Sequence, residues 1–178
     1  GSKNIKFSVV RYGNVFGSRG SVAPKFLEIQ SKSNFFPVTD KNMTRFNITL
    51  KESVEFVINS IINQKGGEIF VPKLPSYRIV DLCNAIDPQK KIKFVGIRPG
   101  EKIHEELISI SESRNTIEKK NYFIILPQKH QFSKINYKGK NLNYVSKNFE
   151  YNSGSNKDFL LIKEIKHLVK SISVDEIK

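Results

Sequence analysis

Apolar stretches recur along the chain, broken by glycine, proline and asparagine. Ile5 to Tyr12 is a β-branched, apolar run and predicts a buried strand. Gly13, Gly17 and Gly20 punctuate the loop behind it. Ser21 is placed to cap a helix from about Val22 to Lys32, with Pro24 tolerated in the first turn. Phe36 to Thr39 and Arg45 to Ile48 predict short strands around a turn at Asp40-Lys41-Asn42. Thr49, with Glu52 three residues on, forms a capping-box pattern. The helix it opens carries Val54, Val57, Ile58, Ile61 and Ile62 at helical spacing, and Gly66-Gly67 ends it. Glu68 to Val71 reads as a strand stopped by Pro72, Ile79 to Ile86 as a helix, and Ile92 to Ile97 as a strand. A helix is predicted near 102–107, and Tyr122 to Leu126 reads as a further core strand. From Lys129 the texture turns to Asn, Ser, Gly and Lys, until Leu161, Ile165, Leu168 and Ile172 mark an amphipathic helix. The pattern divides the chain at 1–128 and 129–178, a strand-plus-α/β region and a C-terminal extension ending in that helix. Alternating strands and helices make the class α/β, and no internal repeat is present.

Composition narrows the picture. The 178 residues suffice for a buried core, and 38% hydrophobic with 11% aromatic residues argues against disorder. Runs such as Tyr122 to Leu126 are far shorter than the roughly 20 residues of a bilayer span, so no membrane partner is expected. The one cysteine, Cys83, precludes an internal disulfide framework and fits a reducing, cytoplasmic setting. The net charge of +13 is carried mostly by lysine, with arginine only at positions 11, 19, 45, 78, 98 and 114. Spread as lysine, it describes a solvated surface with a preference for anions, and the longest cluster, Lys90 to Lys93, is too short for a nucleic-acid tail. The only methionine is Met43, and a strand begins within a few residues of Gly1. The expectation is a piece of a longer protein, whether natural or left by a tag.

A strand, then Gly13-x-x-x-Gly17-x-x-Gly20, then a helix, imitates a dinucleotide-binding fingerprint, and Asp40 sits about where a ribose-binding acid would. Arg19 inside the loop and Pro37 in the next strand oppose that reading. An ordinary set of turn glycines is the plain alternative.

A third reading comes from motifs taken in order: Arg11-Tyr12-Gly13-Asn14-Val15, Gly17 to Val22, Thr39-Asp40, Met43 to Phe46, Gly66 to Lys73, and Gly96-Ile97-Arg98-Pro99-Gly100-Glu101-Lys102. Together they resemble the middle and C-terminal parts of nucleotide-sugar 4,6-dehydratases of the extended short-chain dehydrogenase/reductase family. Phe149-Glu150-Tyr151 and the region of Asn156 resemble the same enzymes' C-terminal end. The resemblance implies a Rossmann-like fold, of which this chain is the substrate-binding part without the N-terminal dinucleotide-binding part. It also implies UDP-N-acetylglucosamine as substrate, NADP as a cofactor held mainly by that other part, and a homo-oligomer as the full protein.

Site residues follow from this. Arginine meets phosphate oxygens bidentately and stays charged, so Arg45 and Arg98 are candidate diphosphate clamps; the alternative is pairing with surface carboxylates. Glu101 can accept two hydrogen bonds from a ribose diol, or simply favour a helix first turn. The resemblance puts Asn14 against substrate, Arg19 and Val22 along its pocket, Thr39 near the uridine, Val15 on the cofactor by its backbone, and Asn156 on the substrate. Asn47 departs from the family, where an aromatic residue is usual. His104, His130 and His167 are too scattered for a zinc site. No tyrosine has a lysine four residues later, so the family's Tyr-x-x-x-Lys pair is absent and no catalytic residue is expected in this chain. The alternatives are a related capsule-type dehydratase or epimerase, and a basic anion- or nucleic-acid-binding module without enzymatic activity.

Overall fold

The computed structural model describes residues 5–127 and 142–172. In chain order its elements are β1 (Val9–Val10), α1 (Val22–Lys32), β2 (Phe35–Val38), β3 (Thr44–Phe46), α2 (Leu50–Asn63), β4 (Ile69–Pro72), β5 (Ser76–Arg78), α3 (Ile79–Ile86), β6 (Lys91–Phe94) and β7 (Glu106–Ile108). A 3-10 turn (Ile110–Asn115), β8 (Thr116–Glu118), β9 (Tyr122–Ile125), β10 (Tyr151–Asn152) and α4 (Ile162–Lys170) complete it. The class is mixed α/β, as the alternation of periods predicts, with parallel pairing in two of its sheets. None of the described helices is long and apolar enough to cross a membrane.

The chain forms two compact units, each drawn from three separate segments. The first takes Gly1–Tyr12, Lys51–Lys73 and Glu106–Tyr151. Its sheet runs β1-β4-β9-β8, with β1 parallel to β4 and the other pairs antiparallel. Phe70, Ile117 and Ile124 form its core, covered by Phe56 of α2. Glu68 is fully buried, and its carboxylate accepts the Lys65 and Gly66 N–H groups at 2.7 Å and the Ser8 hydroxyl at 2.9 Å. Those donors offset the desolvation of the charge and fix the turn from α2 into β4. Arg11 donates to both Glu112 oxygens and to the Leu107 carbonyl. Burial pushes the Glu112 carboxyl up, but hydrogen bonds from Ser109 and Arg11 outweigh it and hold the pKa below its ordinary value.

Two apolar surfaces of this unit stay open. Only Val9 and Val10 of the predicted strand are paired, at the edge of the sheet, and Val9 together with Ile5 and Phe7 before it is exposed. The predicted stripe of α2 is also outward: Val54, Ile58, Ile61 and Ile62 are 50% to 73% exposed, while Ser53 and Ser60 are its buried positions.

The second unit takes Gly13–Leu50, Leu74–Glu105 and Asn152–Lys178. Ala23 and Phe26 of α1, Phe36 and Val38 of β2, Leu82 and Cys83 of α3, and Ile165 of α4 make its core. β2 pairs with β6 in a parallel two-stranded sheet, an edge setting that tolerates Pro37. β3 pairs antiparallel with β5, and Val15 bridges Ile48. The helix predicted over 102–107 does not form. Residues 101–105 are irregular and β7 follows, because tertiary bonds draw out the segment: the Glu105 N–H donates to Ser153 Oγ and the Glu105 carboxylate accepts the Phe46 N–H.

Candidate functional site

The glycine loop leads into the site. Gly17 and Gly20 have φ of 79° and 80°, the left-handed region that other residues enter at a cost. Gly13 is needed for a different reason: a Cβ there would stand 2.9 Å from Glu105 Oε2 and 3.2 Å from Phe46 Cβ. Ser21 is the N-cap of α1 as expected, but its hydroxyl makes no capping bond; Oγ is buried without a hydrogen-bond partner.

Past this loop lies a cleft of about 190 Å³, entirely within the second unit. One wall is the start of α1, with Gly20, Val22, Lys25 and Phe26. Pro37, Val38 and Thr39 end β2 on another side; Met43, Arg45 and Ile79 form the floor, and Val95, Arg98 and Glu101 come from the loop after β6. Pockets that enclose a whole small ligand run to roughly 300–1,000 Å³, so this cleft has room for one end of a nucleotide-sized molecule.

Its polar groups are differently committed. Thr39 Oγ1 donates to Glu101 Oε1 at 3.0 Å, and the Arg98 N–H approaches Glu101 Oε2 at 3.4 Å. The Arg98 side chain is exposed. Arg45 is tied back instead: Nη1 donates to the Thr44 and Ile103 carbonyls at 2.7 and 3.1 Å, Nη2 to Met43 Sδ at 3.5 Å, and Nε lies 3.9 Å from Glu105 Oε1. Its side chain is 17% exposed. Behind it, Glu105 is largely buried, and desolvation raises its pKa against the opposing pulls of the Phe46 N–H and Arg45. A buried polar chain supports this floor, from the Glu105 N–H to Ser153 Oγ (2.9 Å), on to Thr44 Oγ1 (2.7 Å) and to His104 Nδ1 (2.8 Å).

The structure thus brings Val22, Thr39, Arg45, Arg98 and Glu101 to one cleft, while Asn14, Val15 and Arg19 lie on the glycine loop outside its lining. Asn14 and Arg19 are exposed. Asn156 also stands apart from the cleft: its Nδ2 donates to the Leu74 carbonyl, Ser76 Oγ and the Asp158 carbonyl, closing a loop of its own. The departure at Asn47 has a physical consequence, since that residue is 5% exposed and its Oδ1 has no hydrogen-bond partner. Cys83 is a core thiol whose pKa burial pushes up to about 12, which suppresses the thiolate. Of the other histidines, His130 lies outside the described residues and His167 is exposed on α4. Among the described residues no cluster of His, Cys, Asp and Glu could hold a metal ion. Sequence reasoning missed Lys25; the available signal was a lysine in a helix first turn that carries no acid.

Comparison with known proteins gives a consistent picture. A family model described as polysaccharide biosynthesis protein matches residues 1–127. The UDP-N-acetylglucosamine 4,6-dehydratase (inverting) of Campylobacter jejuni is 43% identical over 176 residues, 95% of this chain and 52% of the relative. The UDP-glucose 4-epimerase of Rickettsia bellii is 34% identical over 97% of this chain and 48% of the relative. The X-ray structure of Pen from Bacillus thuringiensis superimposes with a TM-score of 0.76 at 32% identity, covering 95% of this chain and 50% of that one. The chain spans about half the length of the curated relatives it matches.

Proposed function

The chain belongs to the polysaccharide biosynthesis protein family, and from that premise we propose that it is the UDP-sugar-binding half of a nucleotide-sugar 4,6-dehydratase. The substrate is UDP-N-acetylglucosamine, from which the whole enzyme removes water through a transient 4-keto intermediate with inversion at C5, as in pseudaminic acid synthesis. The observation that carries the reading is the cleft that gathers Thr39, Arg98 and Glu101 beside Val22, in a chain 43% identical to an inverting dehydratase.

Each group has work to do there. Arg98, in an exposed loop, offers a guanidinium to the diphosphate. Glu101 and Thr39, bonded to each other at 3.0 Å, present a joined acceptor and hydroxyl to the ribose and uracil edge. Arg45 is fixed by carbonyls and contributes a positive wall. Asn14 and Arg19 reach the sugar from the glycine loop, while Asn156, which stands apart from the cleft, acts on the substrate side by tying Leu74, Ser76 and Asp158 together.

NADP is the cofactor, and when bound it takes up a hydride and returns it. This chain's residues fit only a marginal share of its binding: the Val15 backbone, held by its bridge to Ile48, is the group that would face it. The proton-transfer residues lie outside this chain, and the whole enzyme works as a homo-oligomer in the cytoplasm.

Calorimetric titration tests the reading. The chain should bind UDP and UDP-N-acetylglucosamine, Arg98→Ala should weaken both, and the chain alone with NADP should yield no 4-keto product. Failure to bind UDP, or turnover by this chain alone, would refute it. A related epimerase is the second reading, favoured by the 34% identity to the Rickettsia enzyme; product analysis on the full-length protein separates the two.

A further inference from the structure

The cleft carries one cation that no motif marks. Lys25 lines it together with Arg45 and Arg98, against the single carboxylate of Glu101. It stands in the first turn of α1, where free N–H groups and the positive end of the helix dipole already repel a cation, and no acidic residue in that turn offsets it. The side chain is exposed, and among the described residues its ammonium makes no hydrogen bond or ion pair. Glu28, the nearest acid along the helix, is bonded to Lys32 at 2.7 Å and feels the Lys25 charge only through space. A lysine so placed has its ammonium available to an anion in the cleft.

The commitments of the other two cations sharpen this. The guanidinium of Arg45 is spent on the Thr44 and Ile103 carbonyls and Met43 Sδ. Arg98 is exposed, and its side chain has no hydrogen bond or ion pair among the described residues. Two cations without a direct ion pair among the described residues, both lining one cleft, therefore remain for a ligand.

We infer that Lys25 is a phosphate-contacting residue of this cleft, and that Lys25 and Arg98, rather than Arg45 and Arg98, grip the diphosphate of the nucleotide sugar. The inference rests on the cleft being a nucleoside-diphosphate site. The two residues divide the task. Arg98 supplies a planar fork, and Lys25 a point charge on a flexible stem that follows the phosphates without demanding one geometry. The start of α1, with its free N–H groups, lies beside that point charge and adds to the field.

The test is calorimetric titration of the 178-residue chain with UDP, uridine and inorganic pyrophosphate at two salt concentrations. Lys25→Met should weaken UDP and pyrophosphate roughly three- to ten-fold and leave uridine unchanged. The gap should narrow at high salt, and Lys25→Arg should restore most of the affinity. Lys32→Met removes the same charge seven residues on, about 10 Å along the same helix, and should leave UDP binding as in the wild type. Wild-type UDP affinity in Lys25→Met, or equal losses in Lys25→Met and Lys32→Met, overturns the role of Lys25 while leaving the cleft a UDP site. A wild-type chain that binds neither UDP nor pyrophosphate overturns both. Exposed Lys25 tolerates substitution without a folding cost, which circular dichroism of each variant checks.

Discussion

Gly13→Ala is the perturbation with the clearest predicted magnitude. The new methyl would meet Glu105 Oε2 at 2.9 Å and Phe46 Cβ at 3.2 Å. Phe46 is 1% exposed and cannot retreat, so the carboxylate must move. Moving it breaks the 2.8 Å bond to the Phe46 N–H and leaves a buried donor unmet, a cost of about 1–3 kcal/mol. Residual crowding adds about 1–3 kcal/mol, and the stiffer unfolded chain returns about 0.4–1 kcal/mol. The net expectation is a loss of about 2–4 kcal/mol, a large share of the roughly 5–15 kcal/mol that holds a domain together. Urea unfolding followed by circular dichroism measures it. Gly20→Ala is the reference, because Gly20 has φ of +80° but open space around its Cα, so only the left-handed backbone is penalised, at about 1–2 kcal/mol. In a Glu105→Ala background the 2.9 Å contact is gone and only the tight approach to Phe46 Cβ remains, so the cost of Gly13→Ala should fall by more than about 1 kcal/mol. A Gly13→Ala loss below about 0.5 kcal/mol, or one undiminished by Glu105→Ala, would show that Gly13 is not kept small by Glu105.

Two further outcomes follow from the same structure. Burial raises the Glu105 pKa above its usual 4.5, so the folded state holds that proton more tightly than the unfolded chain. Its stabilising share is complete below the unfolded pKa and is lost as pH rises through the folded one. Glu105→Gln, which keeps an acceptor for the Phe46 N–H, should therefore gain stability relative to wild type as pH rises above the ordinary carboxyl range; a difference flat with pH contradicts the assignment. The open faces of α2 and β1 should make the isolated chain self-associate. Sedimentation velocity should show Ile58→Lys with Ile62→Glu shifting it toward monomer, and a wild-type monomer at high concentration would count against this.

Local signals carried most of the fold into view. The α1 and α2 helices follow from spacing and caps, and β4 and β9 from β-branched runs that end at prolines. What failed depended on distant partners. The segment 102–107 has helical spacing, yet Ser153 and Phe46, 48 and 59 residues from Glu105 in the chain, draw it out. The stripe on α2 was legible as an apolar face, but its exposure was not, since periodicity says nothing of what lies opposite. At the cleft, the motifs named Thr39, Arg98 and Glu101, which do converge. They could not reveal that Arg45 is spent on backbone carbonyls, because the Ile103 carbonyl reaches it only through the fold, and they passed over Lys25, which belongs to none of them.

The interleaving of the two units limits how this molecule can be taken apart. The backbone passes from one unit to the other at 12/13, 50/51, 73/74, 105/106 and 151/152. No truncation from either end therefore removes one unit and spares the other, and no single proteolytic nick releases an autonomous piece. The cleft is built from residues between Gly20 and Glu101, with 51–73 looping out to serve the other unit in between. Isolating it would require excising that loop and splicing Leu50 to Leu74. Neither unit can be complete until remote segments have met, which ties the assembly of the cleft to long-range encounters in the chain. In evolutionary terms such a part is inherited whole: it can be tuned by substitution in its lining, but not exchanged as a cassette.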